Sequence, residues 1–127
     1  MAKKILIVDD DPDLVEAVST ILESKGYAVA VAYGGIEGLK KAKTEKPDLI
    51  VLDVMMPDKD GYAVCKELKA DKKYRSIPIL LLTAVVSNIP TSKYTHQMGM
   101  NTEADDYMDK PVEPGELVKR IETLISK

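Results

Sequence analysis

Along the chain, short apolar runs alternate with longer stretches whose apolar residues recur at helical spacing. Five runs stand out: Lys4 to Val8, Tyr27 to Ala32, Leu49 to Leu52, Ile77 to Thr83, and a weaker Asp106 to Asp109. Runs such as Ile5-Leu6-Ile7-Val8 predict strands covered on both faces, because nothing polar interrupts them. Between the first two, Leu14, Val15, Val18, Ile21 and Leu22 fall on one helical face, and Gly26 stops that helix. Ile36 to Lys46 predicts a second helix, ended before Pro47, and Tyr62 to Ala70 a third. Glu113 to Ser126 repeats the first helix's spacing with Leu117, Val118, Ile121, Leu124 and Ile125.

This is a strand-helix unit repeated five times. Continuous apolar strands separated by helices predict an α/β fold with a parallel sheet and helices on both faces. Right-handed crossovers leave few topologies, of which the doubly wound five-stranded sheet fits best. No internal repeat or linker divides residues 1–127, so the expectation is one domain. Ligands of such sheets bind beyond the carboxyl ends of the strands, so those ends are where chemistry is expected.

The first strand runs into Asp9, Asp10 and Asp11, with Asp13 beyond; the third ends in Asp53, the fourth in Thr83-Ala84, and the fifth is followed by Lys110-Pro111. Asp11-Pro12 has a local explanation: an Asp N-cap, Pro at the first helical position, and Asp13 favourable to the helix dipole. Asp9 and Asp10 are left without a capping role. Asp53 alone reads as a turn residue, Thr83 as a strand-end hydroxyl satisfied by backbone, and Lys110 as a solvated charge. Together, at the ends of four strands, they predict a site. Hard oxygens in a cluster suit Mg²⁺, and Asp is a nucleophile that can form an aspartyl-phosphate. Phosphoryl transfer to Asp53 would need a metal, a lysine and hydrogen-bond donors to neutralise the developing charge. Asp9 and Asp10 would hold the cation beside Asp53.

Composition narrows the classes of function. The chain has 127 residues, a formal charge of −3, no Trp, no Phe and a single cysteine. The negative balance argues against direct nucleic-acid binding. No apolar run reaches the roughly 18 residues of a membrane span, and no signal peptide is evident at Met-Ala-Lys-Lys. One cysteine excludes an internal disulfide and fits a cytoplasmic protein.

The stretches ILIVDDDPDL, DLIVLDVMMPDKDGY, PILLLTA and DDYMDKPVEPGEL resemble, in order and over nearly the whole chain, the bacterial two-component response-regulator receiver domain. The resemblance implies a flavodoxin-like sheet of order 2-1-3-4-5, as in the chemotaxis receiver. It implies that Asp53 accepts a phosphoryl group from a sensor histidine kinase or phosphotransfer protein in a Mg²⁺-dependent transfer, giving a phosphorylation-dependent switch rather than an enzyme. Asp10 would bind the metal directly, Asp9 largely through water, and Asp53 and the Met55 backbone carbonyl would complete the protein's ligands. Thr83 and Lys110 would contact the phosphoryl group, Tyr107 would be the rotating aromatic of the output face, and the Lys110-Pro111 bond would be cis. Affinity for a downstream effector protein or domain would change through the face around residues 85–127, with a phosphorylation-dependent homodimer as a further partner class. An effector domain is not expected within the chain.

Two departures from the family pattern stand out. The segment between Thr83 and Lys110 is longer than usual, and Pro90 and residues 99–102 interrupt any helical pattern there, so the fourth helix is expected to be short, shifted or preceded by a long loop. Val112 stands where the family favours a large aromatic. The resemblance also implies that Met55 and Val85 flank the path of a hydrolytic water, and since neither side chain can orient it, a long-lived phosphorylated state is expected. His96 reads as an exposed residue and Cys65 as buried packing. The lysines at 40, 41, 43, 46, 66, 69, 72 and 73 read as solvated helix faces. Two other functions are open to a sheet of this kind. An aspartyl-phosphate phosphatase of the haloacid dehalogenase type would want a second Asp where Met55 stands. A flavin- or nucleotide-binding module would want a Gly- or Ser/Thr-rich turn where Asp9, Asp10 and Asp11 stand.

Overall fold

The computed structural model describes residues 3–56, 58–84, 104–110 and 112–126. Its elements are β1 (Lys4–Val8), α1 (Pro12–Ser24), β2 (Ala28–Ala32), α2 (Gly35–Glu45), β3 (Leu49–Asp53), α3 (Gly61–Ala70), β4 (Ile79–Ala84), β5 (Asp106–Lys110) and α4 (Pro114–Ile125). The five strands form one parallel sheet in the order β2-β1-β3-β4-β5. Composition explains the order. β1, β3 and β4 are the most apolar strands and occupy the buried centre, while Ala-rich β2 and polar β5 take the edges and are only partly buried.

Alternate strand residues point to opposite faces, so each strand feeds two cores. Leu6, Val8, Ile50, Leu52, Ile79 and Leu81 pack with Ala42 of α2 and with Val64, Cys65 and Leu68 of α3. Ile5, Ile7, Leu49, Val51, Leu80 and Leu82 pack with Val15, Val18 and Leu22 of α1 and with Leu117, Val118 and Ile121 of α4. Cys65 is fully buried, as expected.

The helix ends follow local chemistry. Asp11 caps α1, its carboxylate accepting from the N–H groups of Asp13 and Leu14, with Pro12 first in the helix. Glu113 caps α4 in the same way, accepting from Gly115 and Glu116. α2 lacks a side chain at its own N-cap, Gly34. Asp58 substitutes from the β3-α3 loop, taking the N–H groups of Gly35 at 2.9 Å and Ile36 at 3.1 Å. Those bonds hold the Asp58 carboxyl below the usual range.

Several boundaries differ from the sequence-based ones. Tyr27 N–H bonds the Leu22 carbonyl and closes α1, so β2 begins one residue later. Ile77 N–H bonds the Tyr74 carbonyl in a turn, which delays β4 to Ile79. β5 continues to Lys110 because Ala84 and Lys110 still pair. Lys69 corrects the expectation of a solvated lysine. Its side chain is only 8% exposed, and its ammonium donates to the Arg75 and Ile77 carbonyls and to Asp105. The expected irregular fourth helical segment, Val85, His96 and Pro111 with its cis bond lie outside the described residues.

Candidate functional site

The carboxyl end of the sheet gathers the predicted residues. Ligand oxygens of Asp9, Asp10 and Asp53 lie within 4.8 Å of one another; Asp9 and Asp53 are buried and Asp10 is exposed. Asp9 follows β1 and Asp53 ends β3, and the two strands pair directly, which makes the approach unavoidable. Gly61, at the start of α3, lies against the Asp53 backbone, where a Cβ would overlap the Asp53 carbonyl. The loop carrying Met55 can therefore fold back over the strand end.

Lys110, the last residue of β5, reaches both buried acids: its Nζ is 3.0 Å from Asp9 Oδ2 and 3.3 Å from Asp53 Oδ2. The remaining carboxylate oxygens are held by backbone. Asp9 Oδ1 accepts from Asp11 N–H at 3.0 Å, and Asp53 Oδ1 from Met55 N–H at 3.2 Å. Asp9 thus also has a structural role in its own turn. Asp9 Oδ2 is fully buried and has no hydrogen bond; Lys110 meets it as an ion pair without the geometry of one.

Charge is out of balance here. Burial, and then the neighbouring Asp9, push the Asp53 carboxyl up to about 6 against the opposing pull of Lys110 and Met55 N–H. Burial works against the Lys110 ammonium, but Asp9 and Asp53 outweigh it and hold its pKa above the usual value. A divalent cation suits this donor set. The oxygens are hard, the excess charge is negative, and one buried oxygen lacks a hydrogen bond.

Thr83 is buried at the end of β4, beside β5. Its hydroxyl donates to Asp109 Oδ1 at 2.7 Å, and the Met108 carbonyl is a more distant acceptor at 3.4 Å. The expected backbone partner is therefore secondary, and the nearer acceptor is a carboxylate that no local pattern in the sequence marks. Strand alternation could have flagged Asp109, but only once the β4-β5 register was known. Tyr107, half-buried, packs against the core layer that contains Leu81 and Cys65. Its phenol is raised above the usual range chiefly by that burial. Met55 stands 65% exposed at the rim.

A family model described as the response regulator receiver domain matches residues 5–122. The chain belongs to the response regulator receiver domain family. Among curated proteins, the receiver is 46% identical over its full length to the alkaline phosphatase synthesis transcriptional regulatory protein PhoP of Bacillus subtilis, covering 50% of that protein. It is 40% identical over 98% of its length to the DNA-binding dual master transcriptional regulator RpaA of Synechocystis, covering 49% of it. The chain thus spans about half the length of the curated relatives it matches. Among solved structures, the chemotaxis response regulator CheY4 of Vibrio cholerae superposes with a TM-score of 0.84 at 32% identity, covering 98% of this receiver and 99% of that chain. The sheet order is the flavodoxin-like one, and the receiver's role is phosphorylation-dependent signalling in a two-component system. Among the described residues, no helix is long and apolar enough to cross a membrane.

Proposed function

We propose that residues 1–127 act as one Mg²⁺-dependent receiver in which Asp53 accepts a phosphoryl group from a sensor histidine kinase or phosphotransfer protein. The observation that carries this reading is the carboxyl-end cluster itself: three carboxylates, one shared ammonium and a buried oxygen without a hydrogen bond. An Asp53 oxygen attacks phosphorus as the bond to the donor imidazole breaks. The nucleophile must be deprotonated, and Lys110 favours that form. Asp9, Asp10, Asp53 and the Met55 carbonyl would hold Mg²⁺, which supplies positive charge against the phosphoryl oxygens. Lys110 stays beside Asp53 and pairs with the transferred group, while the Thr83 hydroxyl donates to it. Removing the Thr83 hydroxyl from its resting partner alters the packing next to Tyr107, since both project from the same sheet face.

The output would pass through the face around residues 85–127. In its described part, Arg120 ties α4 to β5 through Asp106 at 2.8 Å. The partner would be an effector protein or domain, or a second receiver in a phosphorylation-dependent homodimer. DNA contact, named for some of the relatives, would lie outside this acidic chain, and the setting would be cytoplasmic. Catalytic turnover is not part of this reading. The haloacid dehalogenase-type alternative is disfavoured by Met55, which stands where the general acid would have to be.

Incubation with acetyl phosphate and Mg²⁺ followed by intact-mass measurement tests the assignment. The wild type should gain one phosphoryl group, and neither Asp53→Asn nor chelated wild type should. Modification of Asp53→Asn at the wild-type level would sink the reading, and turnover of para-nitrophenyl phosphate would revive the phosphatase.

A further inference from the structure

The proposed switch depends on one proton. A threonine hydroxyl carries a single donor hydrogen, and in this structure that hydrogen is already engaged. Thr83 Oγ1 lies 2.7 Å from Asp109 Oδ1, the length of a charge-assisted O–H···O⁻ bond. Thr83 and Asp109 are register partners on β4 and β5, so their side chains leave the sheet on the same face, side by side. Asp109 is exposed, and a carboxylate there could remain in water. Instead it holds a hydroxyl that is itself buried.

The two final residues of β5 therefore act in opposite senses. Lys110 directs a cation to the acids that would receive the phosphoryl group. Asp109 gives the hydroxyl that should greet that group a competing anion. Resting on the reading of Asp53 as phosphoacceptor and Thr83 as its donor, we propose that Asp109 is a brake on the switch. It is a positioning residue that holds the Thr83 proton in the unmodified protein, and the phosphoryl group must outcompete it before Thr83 and Tyr107 respond. Asp109 holds the Thr83 hydroxyl directly, and on this proposal its effect reaches the site through that bond. A purely structural acceptor would contribute equally in both states. A competing acceptor favours only the resting one.

Beryllofluoride in Mg²⁺, a mimic of the phosphoryl group, measures this competition directly. Asp109→Ala should bind it about tenfold more tightly than wild type, the scale of one charge-assisted hydrogen bond. Asp109→Asn keeps an acceptor without the charge and should fall between the two. In a Thr83→Val background the gain should vanish, because no proton is left to compete for. Affinity for Mg²⁺ alone should stay within about twofold in Asp109→Ala, since an exposed charge acts weakly on a neighbouring site. An unchanged beryllofluoride affinity in Asp109→Ala would overturn the brake. So would an equal gain without the Thr83 hydroxyl, or a matching gain in Mg²⁺ affinity, since either would reduce Asp109 to a general charge effect. Wild type that fails to bind beryllofluoride, or Asp53→Asn that binds it equally, would remove the phosphoacceptor reading and the brake with it. A flat response to Asp109 with binding that still needs Asp53 removes the brake only.

Discussion

The two ends of the sheet use the same residue types to opposite effect. At the amino end, Lys69 donates to the Arg75 carbonyl at 3.0 Å, the Ile77 carbonyl at 2.9 Å and Asp105 Oδ2 at 2.8 Å. The same Asp105 oxygen accepts from Ile79 N–H, so this ion pair locks the α3-β4 connection to the entry of β5. An ammonium has three donors, and all three are engaged. At the carboxyl end, Lys110 faces two buried carboxylates with a third nearby, and Asp9 Oδ2 has no hydrogen bond. A finished polar network stabilises a fold; an unfinished one at the mouth of a sheet is open to a ligand. The difference is one of stoichiometry, not of residue type.

Breaking the finished end should produce the largest loss of stability. Lys69→Met keeps the apolar stem but leaves two carbonyls and Asp105 without their donor, and should cost about 2–3 kcal/mol. Chemical denaturation checks the loss, and the response to Mg²⁺ should be intact because the carboxyl end is untouched. Equal damage to the Mg²⁺ response would show that the two ends are not separable.

The unfinished end should reveal itself through pH. The Asp53 carboxyl is raised to about 6 from its ordinary value of 3.8, so between those values the native state holds a proton that the unfolded state has released. Stability of the metal-free protein should therefore fall as pH rises from about 4 to about 6, by of the order of 2 kcal/mol. Asp53→Asn should lose most of that slope. Denaturation across this range decides it, and stability rising through the window with Asp53 intact would contradict the burial argument.

Smaller effects sharpen the contrast. On the proposed reading that Met55 flanks the path of the hydrolytic water, Met55→Asn should speed loss of phosphate about tenfold if alignment contributes about 1.4 kcal/mol. Decay followed by intact mass checks this. Asp58→Ala removes the remote cap of α2 and should lower the melting temperature, as the loss of an N-cap does. Because folding lowers the Asp58 pKa, its contribution is present above the unfolded value and fades as pH falls through the folded one. Thermal melts of wild type and variant should therefore converge in acid.

Much of this was legible in the residues themselves. The apolar runs of β1, β3 and β4 predicted the centre of the sheet because those strands are buried on both faces, and the rule of strand ends led to Asp9, Asp53 and Lys110. Asp11-Pro12 announced its cap because the partners lie within three residues. What escaped depends on contacts distant in sequence. Asp58 caps a helix that begins 22 residues or more before it, and Asp109 meets Thr83 only through the β4-β5 register. Lys69 sits in a helix whose charge pattern suggests solvent, yet its long stem turns the ammonium back toward the sheet. β5 was faint because an edge strand need not be apolar.

On the proposed reading, the carboxyl end is built incomplete and a cation completes it. Thermal melts of wild type and Asp10→Asn, with and without millimolar Mg²⁺, test it most directly. Wild type should melt higher with Mg²⁺, because a ligand that binds only the native state stabilises it. Asp10→Asn should melt higher than wild type without metal, having one carboxylate fewer to repel, and should respond little when Mg²⁺ is added. A variant that melts no higher without metal and gains as much from Mg²⁺ as wild type would contradict the account.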